Sequence, residues 1–181
     1  MPERPVLRCP RLDLVAATLA HVDAELQDHA ALARVLGATV PGEWPPGEYD
    51  RGAQEFFRSQ LASQGPSIVG WLTWYAVTRR ADGGRGELVA GAGFFGPPAG
   101  GSVEIGYSVV PSARRRGLAT EIVRALLARA FAHPAVAEVV AHTSDDNVAS
   151  TRVLLRCGFR RVGAGRDSGS VEYRATRSPT P

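Results

Sequence analysis

From Val109 to Thr120 the chain reads Val-Val-Pro-Ser-Ala-Arg-Arg-Arg-Gly-Leu-Ala-Thr. A strand-like run feeds a short basic turn, and a glycine then opens a helical run. The first amides of a helix have no intrahelical partner, and the positive end of the dipole lies behind them. Gly117 would let a ligand approach the backbone, and Ala119 is small enough not to block it. Val109, Val110, Arg114, Arg115, Arg116, Gly117, Leu118, Ala119 and Thr120 therefore have the makings of a pyrophosphate cradle. A plain basic turn before an amphipathic helix would read the same way.

Two further positions could do chemistry with such a ligand. Glu104 lies in the strand-like run before the cradle and could accept a proton. A solvent-facing strand residue or an ion-pair partner is the alternative. Asn147 is the one asparagine in the chain. Helical spacing places it on one face with Ser150 and Leu154, with Val153 and Cys157 beside them. An amide side chain there could both donate to and accept from the amides of a ligand.

The series Arg114-x-x-Gly117-x-Ala119, then Asn147-x-x-Ser150, then Cys157-Gly158-Phe159 resembles the GNAT superfamily of N-acetyltransferases. Glu104-Ile105-Gly106-Tyr107 resembles the branch that includes the ribosomal-protein N-terminal acetyltransferases, a branch that also holds small-molecule acetylators. The resemblance implies that the cradle wraps the pyrophosphate of acetyl-coenzyme A and that Asn147 touches the pantetheine arm. It implies that amides around Val109 and Val110 hold the thioester, where one facing the carbonyl oxygen would act as an oxyanion donor. Glu104 matches the catalytic glutamate of several branches. In many members a tyrosine seven residues after the asparagine protonates the leaving thiolate; here that position is Leu154. Ser150 could bond the sulfur instead, and Tyr107 is another possible donor. A route through an acetylated Cys157 is disfavoured, since a cysteine near a helix end is commonly buried and inert.

The acceptor side is thinner in signal. Trp44 stands between prolines in a loop and is expected to wall the acceptor pocket, with Glu104 facing the acceptor amine. Glu43 and Glu48 in that loop could attract a cation. His21, His29, His133 and His142 show no metal spacing, so each is expected in the core or in solvent, and no metal is expected.

The elements that must position these residues can be read from periodicity. Leu12, Leu14 and Ala16 suggest a first strand, and from Thr18 the spacing turns helical as far as Leu36, with Gly37 as its stop. Val40–Gly47 reads as a loop. Asp50 could cap a helix that ends near Gly65-Pro66. Three strands follow, Trp71–Thr78, Leu88–Phe95 and Ser102–Val110, in an antiparallel meander. A helix over Arg116–Ala132, a strand over Ala135–Thr143, a helix capped by Asp145-Asp146 and two closing strands complete the order. The expected fold is α/β (α+β): a GNAT-like, mixed but mostly antiparallel sheet of about six to seven strands with helices on both faces.

The chain has 181 residues, enough for one core, so residues 1–181 are expected to form a single domain with disordered ends at 1–5 and 177–181. Hydrophobic residues are 44% and charged residues 22%, which argues against global disorder. No stretch is long and apolar enough to span a bilayer, and no secretory signal is visible. Cys9 and Cys157 are too few for a disulfide framework, so a cytoplasmic setting is expected. The net charge is +3, yet all 21 basic residues are arginine. Together with the abundant Ala, Gly and Pro this reads as a compositional bias, not as a nucleic-acid surface. The expected activity is direct acetyl transfer from acetyl-coenzyme A to a primary amine, on a small molecule or a peptide N-terminus. No nucleic acid or membrane partner is expected, and a homodimer is left open. The rival reading is a catalytically silent acyl-coenzyme A binding module, which the missing tyrosine keeps alive.

Overall fold

The computed structural model describes residues 5–177. In chain order the elements are β1 (Val6–Arg8), β2 (Leu12–Ala16), α1 (Leu19–Gln27), α2 (His29–Leu36), α3 (Arg51–Gln64), β3 (Thr73–Arg79), β4 (Arg85–Phe94), β5 (Ser102–Val109), α4 (Leu118–Phe131), β6 (Glu138–Ser144), α5 (Val148–Arg156), β7 (Arg160–Ala164) and β8 (Ser170–Thr176). The strands form one eight-stranded sheet in the order β1-β2-β3-β4-β5-β6-β8-β7. Every neighbouring pair is antiparallel except β5 and β6. The sheet is thus mixed and mostly antiparallel, as expected, with more strands than the six to seven read from sequence. The short β1 between Pro5 and Pro10 accounts for the difference.

Five consecutive buried residues in β2, and again at the start of β3, mean that both faces of the sheet centre are covered. Successive strand residues point to opposite faces. Tyr75 reaches Glu25 of α1 on one face. Its neighbour Trp74 lies against Gly70, which Arg129 of α4 also approaches. Helices α1 and α3 pack together on the first face, and α4 lies against β5 and β6. Trp74, Tyr75, Phe94, Leu88, Ile122 and Leu126 are among the fully buried side chains between these layers.

One feature of the sheet makes the site. Strands β5 and β6 pair in parallel only from Ser102↔Glu138 to Ile105↔Ala141. Beyond that, β5 stays with β4 as far as Val109, and β6 stays with β8 as far as Ser144. The two halves of the sheet therefore part, and an opening is left between them. Parallel neighbours need a long crossover, which α4 supplies, so its N-terminus lies beside the end of β5 where the strands separate.

Local sequence explains most element ends. Asp50 caps α3 by accepting from the Ala53 N–H at 3.0 Å, and Gly37 ends α2 in the left-handed region at φ 68°. The single helix expected from Thr18 to Leu36 is instead two. Asp28 is extended, and its carboxylate accepts from the Ala31 N–H at 2.7 Å, which starts a new helix one residue after the old one stops. The cap of α5 also differs from expectation. Asn147, not the Asp145-Asp146 pair, caps it, and Asp145 pairs with Arg161 at 3.1 Å. Residues 1–4 and 178–181, within the ends expected to be disordered, lie outside the described residues. Pro5 and Arg177, counted with them, are tied down: the Pro5 carbonyl accepts from Ala16 N–H, and the Arg177 N–H donates to Ala137.

Candidate active site

A cavity of about 1280 Å³ occupies the opening between β5 and β6. At one end is the basic turn. Arg115 and Gly117 are both left-handed, at φ 59° and 77°. Alternating such residues curls a loop so that its amides converge on the concave side. Gly117 is the N-cap of α4 and offers no side chain, and its carbonyl takes the first helical bond from Glu121. The N–H groups of Leu118, Ala119 and Thr120 therefore have no partner within the helix, and all three residues line the cavity. Arg114 and Arg115 line it too. Cys157 Sγ lies 3.7 Å from the Thr120 carbonyl, which brings the C-terminal turn of α5, with Arg156, to this same end. Burial pushes the Cys157 thiol above its ordinary value, the character of an inert cysteine.

Arg11, which sequence reasoning missed, braces this turn from the β1–β2 connection. Its backbone N–H and Nε each donate to Glu121 at 2.8 Å, and its Nη1 donates to the Arg116 carbonyl at 2.8 Å.

Strand alternation decides which backbone groups face the opening. Val110 N–H donates to the Val89 carbonyl at 2.9 Å. Val109 is thus the non-hydrogen-bonded partner of Ala90, and its N–H points away from β4, toward the side that β6 has left. Its carbonyl accepts from Arg114 Nε at 3.0 Å. Of the two amides expected to hold a thioester, that of Val109 faces the opening. Val110 does not: its N–H is spent in the sheet and its side chain is fully buried away from the cavity. Arg116 is likewise outside the lining, with its carbonyl held by Arg11.

The first turn of α5 forms another wall. Asn147 Oδ1 accepts from Ser150 N–H at 3.0 Å, which leaves the amide NH₂ of Asn147 as its donor toward the cavity. Ser150 Oγ is 2.9 Å from the Tyr107 hydroxyl. Leu154 is fully buried and does not line the cavity.

At the far end from the cradle the lining carries Glu104, Asp167 and Glu172, together with His142 and Arg166. Glu104 Oε1 pairs with His142 Nδ1 at 2.8 Å, and its Oε2 pairs with Arg166 of the β7–β8 turn. His142 lies on β6, two residues past the register partner of Glu104, and so on the same face. Its Nε2 is buried without a hydrogen-bond partner, 3.5 Å from Glu172 Oε2 but poorly aligned with it. Glu172 in turn accepts from Arg174 Nε at 2.5 Å, a bond that, ahead of other causes, holds its carboxyl below the ordinary value. His142 is thus neither core nor solvated, contrary to the sequence expectation. No spacing motif announces it; only the register of β6 against β5 and β8 does.

The Pro-rich loop is also different from expectation. Trp44 is buried, 4% exposed, and cannot wall the acceptor pocket. Its Nε1 donates to Glu25 Oε1 at 2.7 Å, and the same carboxylate takes the Tyr49 and Tyr75 hydroxyls and the Gln54 amide. A buried acceptor with four donors draws the loop into the core. Glu43 fastens the loop to the cradle side, accepting from Ser112 N–H at 3.0 Å and from its hydroxyl. Besides Tyr107, the aromatic residue at the cavity is Phe95, half-exposed beside Gly106.

The Acetyltransferase (GNAT) domain model matches residues 11–160. An uncharacterized N-acetyltransferase of Bacillus subtilis (strain 168), YjdG, is 31% identical over 156 residues, covering 85% of this chain and 89% of that protein. Among solved structures, an acetyltransferase from Agrobacterium tumefaciens aligns with a TM-score of 0.65 at 22% identity, over 98% of this chain and 97% of that one. RimL ribosomal L7/L12 alpha-N-protein acetyltransferase in complex with coenzyme A aligns with a TM-score of 0.65 at 18% identity, over 95% and 98%. At these identities the two structures establish a shared fold and nothing finer.

Proposed function

The chain belongs to the GNAT acetyltransferase family and is an N-acetyltransferase, and on that premise we propose that it moves the acetyl group of acetyl-coenzyme A directly onto a cationic primary amine. The acceptor amine belongs to a small molecule or to a peptide N-terminus. The observation that carries this reading is the polarity of one cavity, with a basic turn and free helix amides at one end and Glu104 among carboxylates at the other.

The residues divide the work along that axis. Arg114, Arg115 and the amides from Gly117 to Thr120 hold the pyrophosphate, where helix dipole and unpaired N–H groups favour negative charge. Asn147, its Oδ1 committed to the cap, donates through its amide to the pantetheine arm. Val109 N–H faces the thioester carbonyl and stabilises the oxyanion as it forms. An alkyl amine has an ordinary pKa of about 8 to 10.5 and arrives protonated at neutral pH. Glu104 takes that proton, the freed lone pair attacks the carbonyl carbon, the C–S bond breaks with its electron pair leaving on sulfur, and the second proton that the nitrogen sheds as it becomes an amide goes to the thiolate through solvent. Ser150, backed by Tyr107, hydrogen-bonds the departing sulfur.

The test is acetyl-coenzyme A turnover against a panel of amines and N-terminal peptides, with Glu104→Gln alongside. The variant keeps the shape and loses the base. Turnover at neutral pH is expected to fall by about 10² to 10⁴, with partial recovery at high pH, where the amine deprotonates unaided. Tight acetyl-coenzyme A binding with no turnover on any amine would replace this reading with the silent binding module.

A further inference from the structure

Glu104 holds its two oxygens unequally. Oε1 is fixed by His142, a ring with 15% of its side chain exposed, seated between β5 and β8. Oε2 is held by Arg166, whose side chain is 70% exposed. The backbone that carries Arg166 is anchored. Gly165 N–H donates to the Ser170 carbonyl at 2.8 Å, and Gly165 presses on the site so closely that a Cβ there would collide with Ser170 Oγ and come within 2.8 Å of the His142 ring. The next residue is therefore a long, largely exposed cation on an anchored stretch of backbone. Its guanidinium sits on the oxygen that His142 leaves open, in an end of the cavity that also carries Asp167 and Glu172.

We infer that Arg166 is a place-holder for the acceptor's cationic nitrogen: its guanidinium occupies the ammonium subsite on Glu104 Oε2 and swings out when the acceptor binds. This rests on the amine-acceptor reading above and makes it specific, because the acceptor group must be a compact cation able to replace a guanidinium on one carboxylate oxygen. The exchange is charge-neutral, cation for cation. It leaves Glu104 paired in both states and free to take the amine proton only once a substrate has arrived. It also sets a cost on binding. An ion pair with one largely exposed partner is worth about 0.2–1 kcal/mol, so displacing it weakens acceptor binding by roughly 1.4- to 5-fold.

Two variants test this. Arg166→Gln removes the competing cation and is expected to lower the acceptor KM by about 1.4- to 5-fold, with the gain in KM and not in kcat. Arg166→Lys keeps a cation at this position and is expected to stay near the wild-type KM. A rise in KM in Arg166→Gln, or equal values in all three proteins, would overturn the inference and leave the amine-acceptor reading standing. A direct readout needs no turnover. Methylguanidinium is titrated into the folded proteins while the His142 ring signals are followed by NMR. Saturable shifts at lower concentration in Arg166→Gln than in wild type are expected; identical responses in the two proteins would overturn the assignment. Absence of any wild-type turnover on amines, with methylguanidinium still binding, would count against the acetyl acceptor and not against the cation subsite.

Discussion

The Tyr107 hydroxyl stands 2.9 Å from Ser150 Oγ and 3.3 Å from the Ser150 carbonyl, so this one hydroxyl joins the parted half of β5 to the first turn of α5. Burial, ahead of other causes, pushes the Tyr107 hydroxyl up to about 12, so it keeps its proton across the working range. The phenol proton has two acceptors, Ser150 Oγ and the Ser150 carbonyl at 3.3 Å; when it goes to Oγ, the serine hydrogen is free to point to the sulfur. Ser150→Ala is expected to lower kcat by about 3- to 30-fold with a smaller loss of acetyl-coenzyme A affinity, since the bond strengthens as charge develops. Tyr107→Phe should lower kcat by roughly 2- to 5-fold, and the double variant should be no worse than Ser150→Ala. Additive losses in steady-state kinetics would mean that the two residues act separately.

The left-handed backbone at Gly117, φ 77°, is a second point of leverage. A Cβ there would make ordinary contact with Arg11, so conformation and the ligand's approach set the constraint, not crowding within the protein. An L-residue in this region costs about 1–2 kcal/mol. Gly117→Ala should weaken acetyl-coenzyme A binding modestly. Gly117→Glu, which adds a repelling charge at the helix N-terminus, should weaken it at least about tenfold. Calorimetric titration of folded protein reads both; wild-type affinity in the glutamate variant would remove the cradle assignment.

Arg11 offers a test of the brace. Its side chain bonds Glu121 and the Arg116 carbonyl, while its own N–H also reaches Glu121. Arg11→Ala removes the side-chain bonds and spares the backbone one. A net loss of about 1–1.5 kcal/mol predicts an acetyl-coenzyme A Kd higher by roughly 5- to 13-fold. Turnover at saturating acetyl-coenzyme A should change little, because Arg11 does not line the main cavity. A fall in saturated kcat matching the rise in Kd would mean that the brace also sets the reacting geometry.

The parts legible in the sequence are those encoded by local pattern. The meander follows from period-two runs between Gly-rich turns, and Asp50 and Gly37 mark helix ends by their own chemistry. The left-handed entry into α4 follows from a glycine at the mouth of a helix. What was not legible depends on pairing between distant segments. The helical spacing of Leu26 and Ala30 runs straight through Asp28, so periodicity hides the break there. His142 and Glu104 meet only through strand register, 38 residues apart in sequence. Trp44 was misplaced because a Pro-rich loop reads as surface. One signal could have corrected this: Glu25 falls on the apolar stripe of α1, three residues after Val22, and a carboxylate there must find buried donors.

That carboxylate carries the last expectation. Glu25 is 7% exposed and takes Trp44 Nε1 and Gln54 Nε2 on one oxygen and the Tyr49 and Tyr75 hydroxyls on the other. Burial raises its carboxyl above 4.5, its ordinary value, and the four hydrogen bonds, led by Tyr75, oppose this without cancelling it. A folded-state pKa above the unfolded one means that the native protein binds more protons. Stability from this site is therefore greatest below the unfolded value and declines as pH rises through the folded one. Glu25→Gln cannot titrate, and its NH₂ can face the tyrosine hydroxyls, which turn to accept. Its stability deficit relative to wild type should shrink as pH is raised from about 4 toward neutrality. Glu25→Ala strands four buried donors, each costing about 1–3 kcal/mol, and should be destabilised by several kcal/mol or fail to fold. Urea denaturation at a series of pH values reads the comparison; a glutamine deficit that widens with pH would mean that the four donors outweigh burial and Glu25 is stabilised as the anion.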